Sequence, residues 1–265
     1  MWCSHSGFQE LVQAVWAAPL VGNPIQIVIA KLKAVKQALK HWNKTTFGNI
    51  FNNIQATLAE LIRVEVEAQA APGQDSHQNL QLAAAKSRRA VIQEIKLADG
   101  TLITNITGIR EAAVDYFNHL LQVEDNLDAQ NFLQSIPTVV SAHDNALLLA
   151  EPSLEELLQA VKVIPPNSAA GPDGFFRAFF QACWSMIQHD LLMAAKYFFT
   201  GAEFPRALTS SLICLIPKIS APVYFFDFRT ISLCNCLYKI FSGIFASRLG
   251  AILPNIVSIE QAAFV

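Results

Sequence analysis

The chain has 265 residues, 52% of them hydrophobic and only 15% charged, with a net charge of -2. That is apolar side chain enough for one or two packed domains, and it argues against a disordered tail. Five cysteines, an odd number with no basic stretch leading into a compact apolar run, read as reduced thiols of a nuclear or cytoplasmic protein rather than a secreted one.

The longest early stretch without a charge, Leu11 to Ala30, has the length of a membrane span, roughly 20 residues. Gly22, Asn23 and Pro24 would break a helix at its centre, so no span is expected. From Lys31, the recurrence of Leu32, Val35, Leu39 and Trp42 at three- and four-residue steps predicts one buried helical face. Lys33, Lys36, Lys40 and Lys44 repeat at the same spacing, which predicts a basic stripe on the opposite face. No acidic residue occurs between Leu11 and Ala59, so the stripe is a candidate phosphate-binding face, or else an ordinary solvated one.

Pro and Gly within Ala71–Gln78 predict a loop. Ile92–Thr104 predicts a small β-hairpin with its turn at Asp99-Gly100. A helix follows from about Thr107, with Ile109, Ala113, Tyr116, Phe117 and Leu120 inward. Ser153 and Glu156 make a capping box that starts a helix ending before Pro165-Pro166. Gly171-Pro172-Asp173-Gly174 is a tight-turn signal. One long helix is then expected from Phe176, burying Phe180, Cys183, Trp184, Ile187, Leu191, Ala195 and Phe198 and capped by Gly201. The apolar run Leu212–Ile216 and the run Phe228–Leu233 are candidates to pair as a hairpin, before a last helix from about Cys236 that buries Leu237, Ile240, Phe241, Ile244, Phe245, Leu249 and Ile252. Cys234 and Cys236 lack a second pair to complete a zinc site, and the histidines share no spacing for a metal or a catalytic triad.

Between Gly171 and Val265 a set of short motifs appears in a fixed order: GPDGF at 171–175, FF and CW at 179–184, LIPK ending at Lys218, DFRTISLCN at 227–235, YKI at 238–240, SRL at 247–249 and QAAFV at 261–265. Each is weak by itself, but the ordered set resembles the opening, or fingers, of the reverse transcriptase domain of plant non-LTR (LINE-type) retrotransposons. Upstream, the segment Phe8 to Trp16, then Lys31-Leu32-Lys33, Trp42-Asn43-Lys44 and Phe47-Gly48-Asn49-Ile50 resemble the helical stretch that joins endonuclease to polymerase in such elements. The chain departs from the pattern at Thr230, where the family has proline, at Ala169-Ala170, and in a short segment between about Ala70 and Arg89.

The resemblance implies a mainly α fold with short β-hairpins (α+β). It implies a helical connector over 1–150 and, over 151–265, the N-terminal part of a reverse transcriptase domain without its palm. By the same resemblance, Lys218 and Arg229 contact the triphosphate of an incoming deoxynucleoside triphosphate, and RNA template and DNA are the expected partners. Magnesium is implied for the intact enzyme, but two-metal nucleotidyl transfer needs clustered carboxylates, and no Asp-Asp pair occurs in this sequence. The chain is therefore expected to hold no metal and no catalytic residue, and to be an inactive part of an RNA-directed DNA polymerase. Asp173, Asp190 and Asp227 stand alone and read as capping or solvated groups. Residues 151–265 carry eight basic and eight acidic groups, which weakens tight nucleic-acid binding by that part. The rival reading is a non-enzymatic helical module that binds nucleic acid or a protein.

Overall fold

The computed structural model describes residues 2–46, 48, 92–122, 138–166 and 168–257. The loop expected at Ala71–Gln78, the Phe47–Ile50 motif apart from Gly48, and the QAAFV motif lie outside these residues. The fold is mostly helical with two small antiparallel sheets, the α+β class expected. Its contacts form two compact units: Met1–Asn43, Asp128–Cys214 and Ser232–Val265 make the first, and Lys44–Leu127 with Leu215–Ile231 make the second.

In the first unit, α1 (Ser6–Trp16) and α2 (Pro24–Thr46) lead the chain. Helix α2 starts seven residues before the periodic run at Lys31, because the Asn23 side chain accepts from the Gln26 amide at 2.9 Å and Pro24 suits the first turn, whose amides have no helical partner. The Gly-Asn-Pro cluster thus begins a helix. Among the described residues, no helix is long and apolar enough to cross a membrane.

The second unit takes its two sheet strands β1 (Ile95–Lys96) and β2 (Leu102–Ile103) from the expected hairpin, with Ile95 opposite Ile103 and Gly100 at a φ of +88°. Helix α3 (Ile106–Leu120) follows, capped by the Asn105 side chain on the Gly108 amide. Its inward face is shorter than the periodicity suggests: Ile109 is buried, but Leu120 is exposed. The core it serves is small, made of Ile95, Ile109, Phe225 and Phe228 with Tyr116 and Phe117 half-buried against it. The last turn of α3 runs past that cluster.

Back in the first unit, α4 (Ala142–Leu149) and α5 (Leu154–Val163) each begin with a capping box, the second at Ser153 and Glu156 as expected. The single helix expected from Phe176 is two, α6 (Arg177–Ala182) and α7 (Trp184–Phe199). Cys183, at φ -101° and ψ 8°, leaves helical geometry and serves as the last cap of one and the first of the other. The break lets Phe179 and Phe180 bury on one side of it and Ile187 and Leu191 on the other. After the short α8 (Arg206–Thr209), β3 (Ser211–Pro217) pairs with β4 (Phe228–Cys234), and α9 (Cys236–Gly250) and α10 (Leu253–Ile256) end the described chain. Leu237, Ile240, Phe241 and Ile244 of α9 and Ile252 beyond it are buried as expected, Leu249 is half-buried, and Phe245 faces out.

Two polar ties and one close backbone contact cross this core. Asp190 of α7 accepts from Trp16 Nε1 and from Lys31 Nζ, both at 2.7 Å, which joins α1, α2 and α7 at one carboxylate. Arg248 of α9 pairs with Glu156 of α5 through two bonds of 2.8 and 2.9 Å and donates to the carbonyls of Leu148 and Ala150. Such a charge-assisted pair contributes about 1.5–3 kcal/mol when dry; with Glu156 37% exposed, the lower end applies. The close contact is backbone on backbone. A Cβ on Gly171 would come within 2.4 Å of the Asn235 amide nitrogen and 2.5 Å of the Cys234 carbonyl carbon.

Replacing Gly171 with Ala should therefore destabilise the chain by about 2–4 kcal/mol, since overpacking commonly costs 1–3 and backbone yields less than a side chain. Gly250 at the end of α9 has nothing within 4 Å of its Cβ position. Gly250→Ala should be neutral or stabilising by up to about 1 kcal/mol, from helix propensity. Urea unfolding of the two variants checks the contrast.

Candidate nucleotide-binding hairpin and lysine face

Lys218 and Arg229 both lie on the β3–β4 hairpin, on the part belonging to the second unit. The Lys218 amide donates to the Asp227 carbonyl at 2.7 Å, and strands of equal length run back from that bond, which sets Arg229 opposite Ile216. Side chains alternate along a strand, so residues 218 and 229 fall on the same face, as diagonal neighbours. Asp227 organises the loop between them: one carboxylate oxygen accepts from the amides of Val223 and Tyr224, at 3.0 and 2.9 Å, the capping role expected of it. The Lys218 ammonium donates to the Phe226 carbonyl at 2.8 Å, leaving two of its three N–H groups. Arg229 is exposed, with no partner among the described residues.

The same face of the hairpin continues through Ile216, Cys214 and Leu212 on one strand and Ile231 on the other, all exposed. The opposite face carries Leu215 and Phe228, which pack into the core of the second unit. Of the apolar run Leu212–Ile216, only Leu215 is half-buried, and Leu212, Ile213, Cys214 and Ile216 are exposed.

The lysines of α2 are not equivalent. With each residue turning about 100° around the axis, Lys36 flanks the stripe formed by Leu32, Val35 and Leu39, and the set lies to one side of the buried face, where the sequence had suggested the opposite side. Lys36 is half-buried and donates to the Pro172 carbonyl at 3.3 Å. Lys33, Lys40 and Lys44 are exposed.

Lys36 therefore faces the turn at Gly171–Gly174. In that turn Gly174 adopts a φ of +82° and its amide donates to the Gly171 carbonyl. The Asp173 carboxylate accepts from the Phe175 amide at 3.0 Å, while the Asp173 amide donates to Asn235 Oδ1 at 3.0 Å. Asn235, 1% exposed, uses its Nδ2 to donate to the carbonyls of Ala207 and Leu208, so all its hydrogens and its oxygen have partners. Lys239 donates to Ser168 Oγ and to the Ala169 carbonyl. Burial raises the Asp173 pKa despite the Phe175 amide and the nearby Lys36 and Lys239.

Sequence reasoning missed Asn235, Lys239 and Arg248 as contact makers, although all three lie within the quoted motifs DFRTISLCN, YKI and SRL. Asp190, read as a solvated or capping group, is the shared acceptor of α1 and α2. Cys183 and Cys236 are buried and their thiols are pushed up to about 12, chiefly by burial, which suits inert core groups. Among the described residues no group of three or more His, Cys, Asp or Glu side chains could hold a metal ion.

No known family profile matches the chain. It is 27% identical over 178 residues to a transposon TX1 uncharacterized 149 kDa protein of Xenopus laevis, a match covering 67% of this chain and 14% of that relative. The likeness supports an origin of this chain in a transposable element.

The raised Asp173 pKa has a sign that can be checked. A carboxyl whose folded pKa exceeds its unfolded value, about 3.9, favours folding most below that value, and the benefit is lost as pH rises through the folded pKa. An Asp173→Asn variant keeps an oxygen for the Phe175 amide but no ionising group. Its stability relative to the parent should improve as pH rises from about 3 to 7, read by denaturant midpoints at each pH.

Proposed function

We propose that this chain forms the connector and the fingers portion of an RNA-directed DNA polymerase, a reverse transcriptase of a LINE-type retrotransposon. The observation that carries the reading is the ordered motif set from Gly171 onward, whose members Gly171, Asp173, Asn235 and Lys239 meet around one turn. The transposon relative supports it at the coarser level. In this reading the β3–β4 hairpin offers Lys218 and Arg229 to the phosphates of a deoxynucleoside triphosphate. A lysine point charge and a guanidinium fork suit phosphate oxygens, and diagonal strand neighbours stand roughly 7–8 Å apart, close enough for one polyphosphate.

Magnesium belongs to the intact enzyme in this proposal. Among the described residues no group of three or more His, Cys, Asp or Glu side chains could hold a metal ion, and Asp173 caps a turn, Asp190 joins helices and Asp227 holds a loop. We therefore propose that the chain binds and positions but does not catalyse.

Template contact falls to α2 in this reading, with Lys33, Lys40 and Lys44 reaching phosphates and Lys36 retained by Pro172. The rival, a non-enzymatic helical module derived from such an element that binds nucleic acid or a protein, shares these lysines but gives Lys218 and Arg229 no role.

The test uses the full chain with a primed RNA template. Binding should be weak and independent of sequence, with log K falling against log salt at a slope of about -2 to -3, as three phosphate contacts require. Lys33→Glu with Lys40→Glu should abolish it, whereas Lys218→Ala with Arg229→Ala should leave it unchanged and reduce retention of a deoxynucleoside triphosphate. No template-dependent incorporation is expected with magnesium or manganese. Incorporation above a boiled control, or binding indifferent to salt and to the lysine reversals, would contradict the proposal.

A further inference from the structure

The second unit carries a cleft of about 540 Å³ that the proposed polymerase role does not use. It opens between α3 and the loop that precedes β4, and its walls are mostly apolar. Tyr224 and Phe226 stack on each other there, with ring centres 4.9 Å apart and planes 9° apart, and Phe226 is 61% exposed. Tyr116, stacked on Phe225, continues the aromatic wall. A stacked pair with one ring exposed and the other half-buried is costly to leave in water, and its outer π face carries partial negative charge.

The charges around the cleft agree with that face. Glu111 and Asp115 stand four residues apart on α3, one above the other, and both line the cleft. Both are exposed and neither has a partner among the described residues. Lys96 is the one cation in the lining; Lys218 is not part of it. The cleft thus holds two carboxylates to one ammonium, beside aromatic faces.

We infer that this cleft docks an arginine-bearing peptide segment of a protein partner, with the guanidinium on the Tyr224–Phe226 pair and its N–H fork toward Glu111 and Asp115. Guanidinium combines stacking on aromatic faces with paired bonds to carboxylates, and its weak hydration lowers the cost of entering an apolar cleft. A single-stranded nucleic acid could stack its bases on the same rings, but its phosphates would meet two carboxylates. The charge balance therefore favours the basic peptide.

The test is calorimetric titration of the full chain with an N-acetylated, C-amidated peptide of sequence Ala-Leu-Arg-Leu-Ala. The control is the same peptide with citrulline, the neutral isostere, in place of arginine. The arginine peptide should bind in the sub-millimolar range and the citrulline peptide about tenfold or more weaker, the loss expected for a charge-assisted pair. Glu111→Gln with Asp115→Asn should weaken the arginine peptide by a similar factor and leave the citrulline peptide unchanged. Phe226→Ala, at an exposed position, should weaken both. Lys33→Glu with Lys40→Glu should change neither, which separates this site from the proposed template face. Equal binding of the two peptides, insensitivity to the carboxylate changes, or no heat at millimolar peptide would overturn the proposal. So would a ten-residue oligothymidylate that binds in a Phe226-dependent way and tightens when the two carboxylates are neutralised.

Discussion

The amide of Asn235 is the point on which the first unit depends. It is the single buried polar side chain among the described residues, and it joins three segments distant in sequence: the turn at Asp173, the end of α8 at Ala207 and Leu208, and the junction of β4 with α9. Each bond contributes about 1 kcal/mol net, but losing the amide leaves buried backbone groups unpaired, at about 1–3 kcal/mol each. The site admits the turn only because Gly171 has no Cβ, so its backbone lies directly on the backbone of Cys234 and Asn235. Lys239, one helical turn further on, holds the preceding carbonyl at Ala169, and Lys36 reaches the turn from α2. One polar side chain and one missing methyl thus fix where β4 ends and where α9 begins.

The hairpin that bears Lys218 and Arg229 starts just after α8 and returns to Asn235, whose side-chain amide donates to the carbonyls of Ala207 and Leu208 of α8. The loop at its far end is ordered separately, by Asp227 on two amides and by Lys218 on the Phe226 carbonyl. A phosphate-binding pair needs such support, because long cationic side chains on a loose strand lose their advantage to entropy. The same loop supplies Tyr224 and Phe226 to the aromatic cleft, so two different surfaces share one scaffold.

Much of this fold was legible from the residues. Apolar spacing gave the buried faces of α2 and α9, Ser153 with Glu156 gave the start of α5, and Asp99-Gly100 gave the first hairpin. Pairing of Leu212–Ile216 with Phe228–Leu233 was legible too, because motif order brought them into sequence. The break at Cys183 was not, since a single residue in the bridge region leaves no mark on hydrophobic period. Side-chain partners were the least legible part. Trp16, Lys31 and Asp190 lie 15 to 174 residues apart, and nothing local marks them as one cluster. Lys36 shows the limit of periodicity for the candidate site: spacing identified a lysine stripe but not that one member borders the core and serves a turn. The division at residue 150 was drawn from motif order along the chain, whereas each compact unit draws on segments that alternate along the sequence.

Native-state hydrogen exchange at the Asp173 amide tests the central claim most directly. This amide sits in a glycine-flanked turn, where exchange near the unprotected rate would be ordinary, yet its acceptor is the buried Asn235 Oδ1. It should exchange only with the opening that also releases the core of α9 at Ile240 and Phe241. In an Asn235→Ala variant its protection should fall by about tenfold or more relative to those core amides, as loss of a bond of roughly 1.4 kcal/mol implies. Exchange of the Asp173 amide at the rate of a free loop in the parent chain, or protection indifferent to Asn235, would contradict the account.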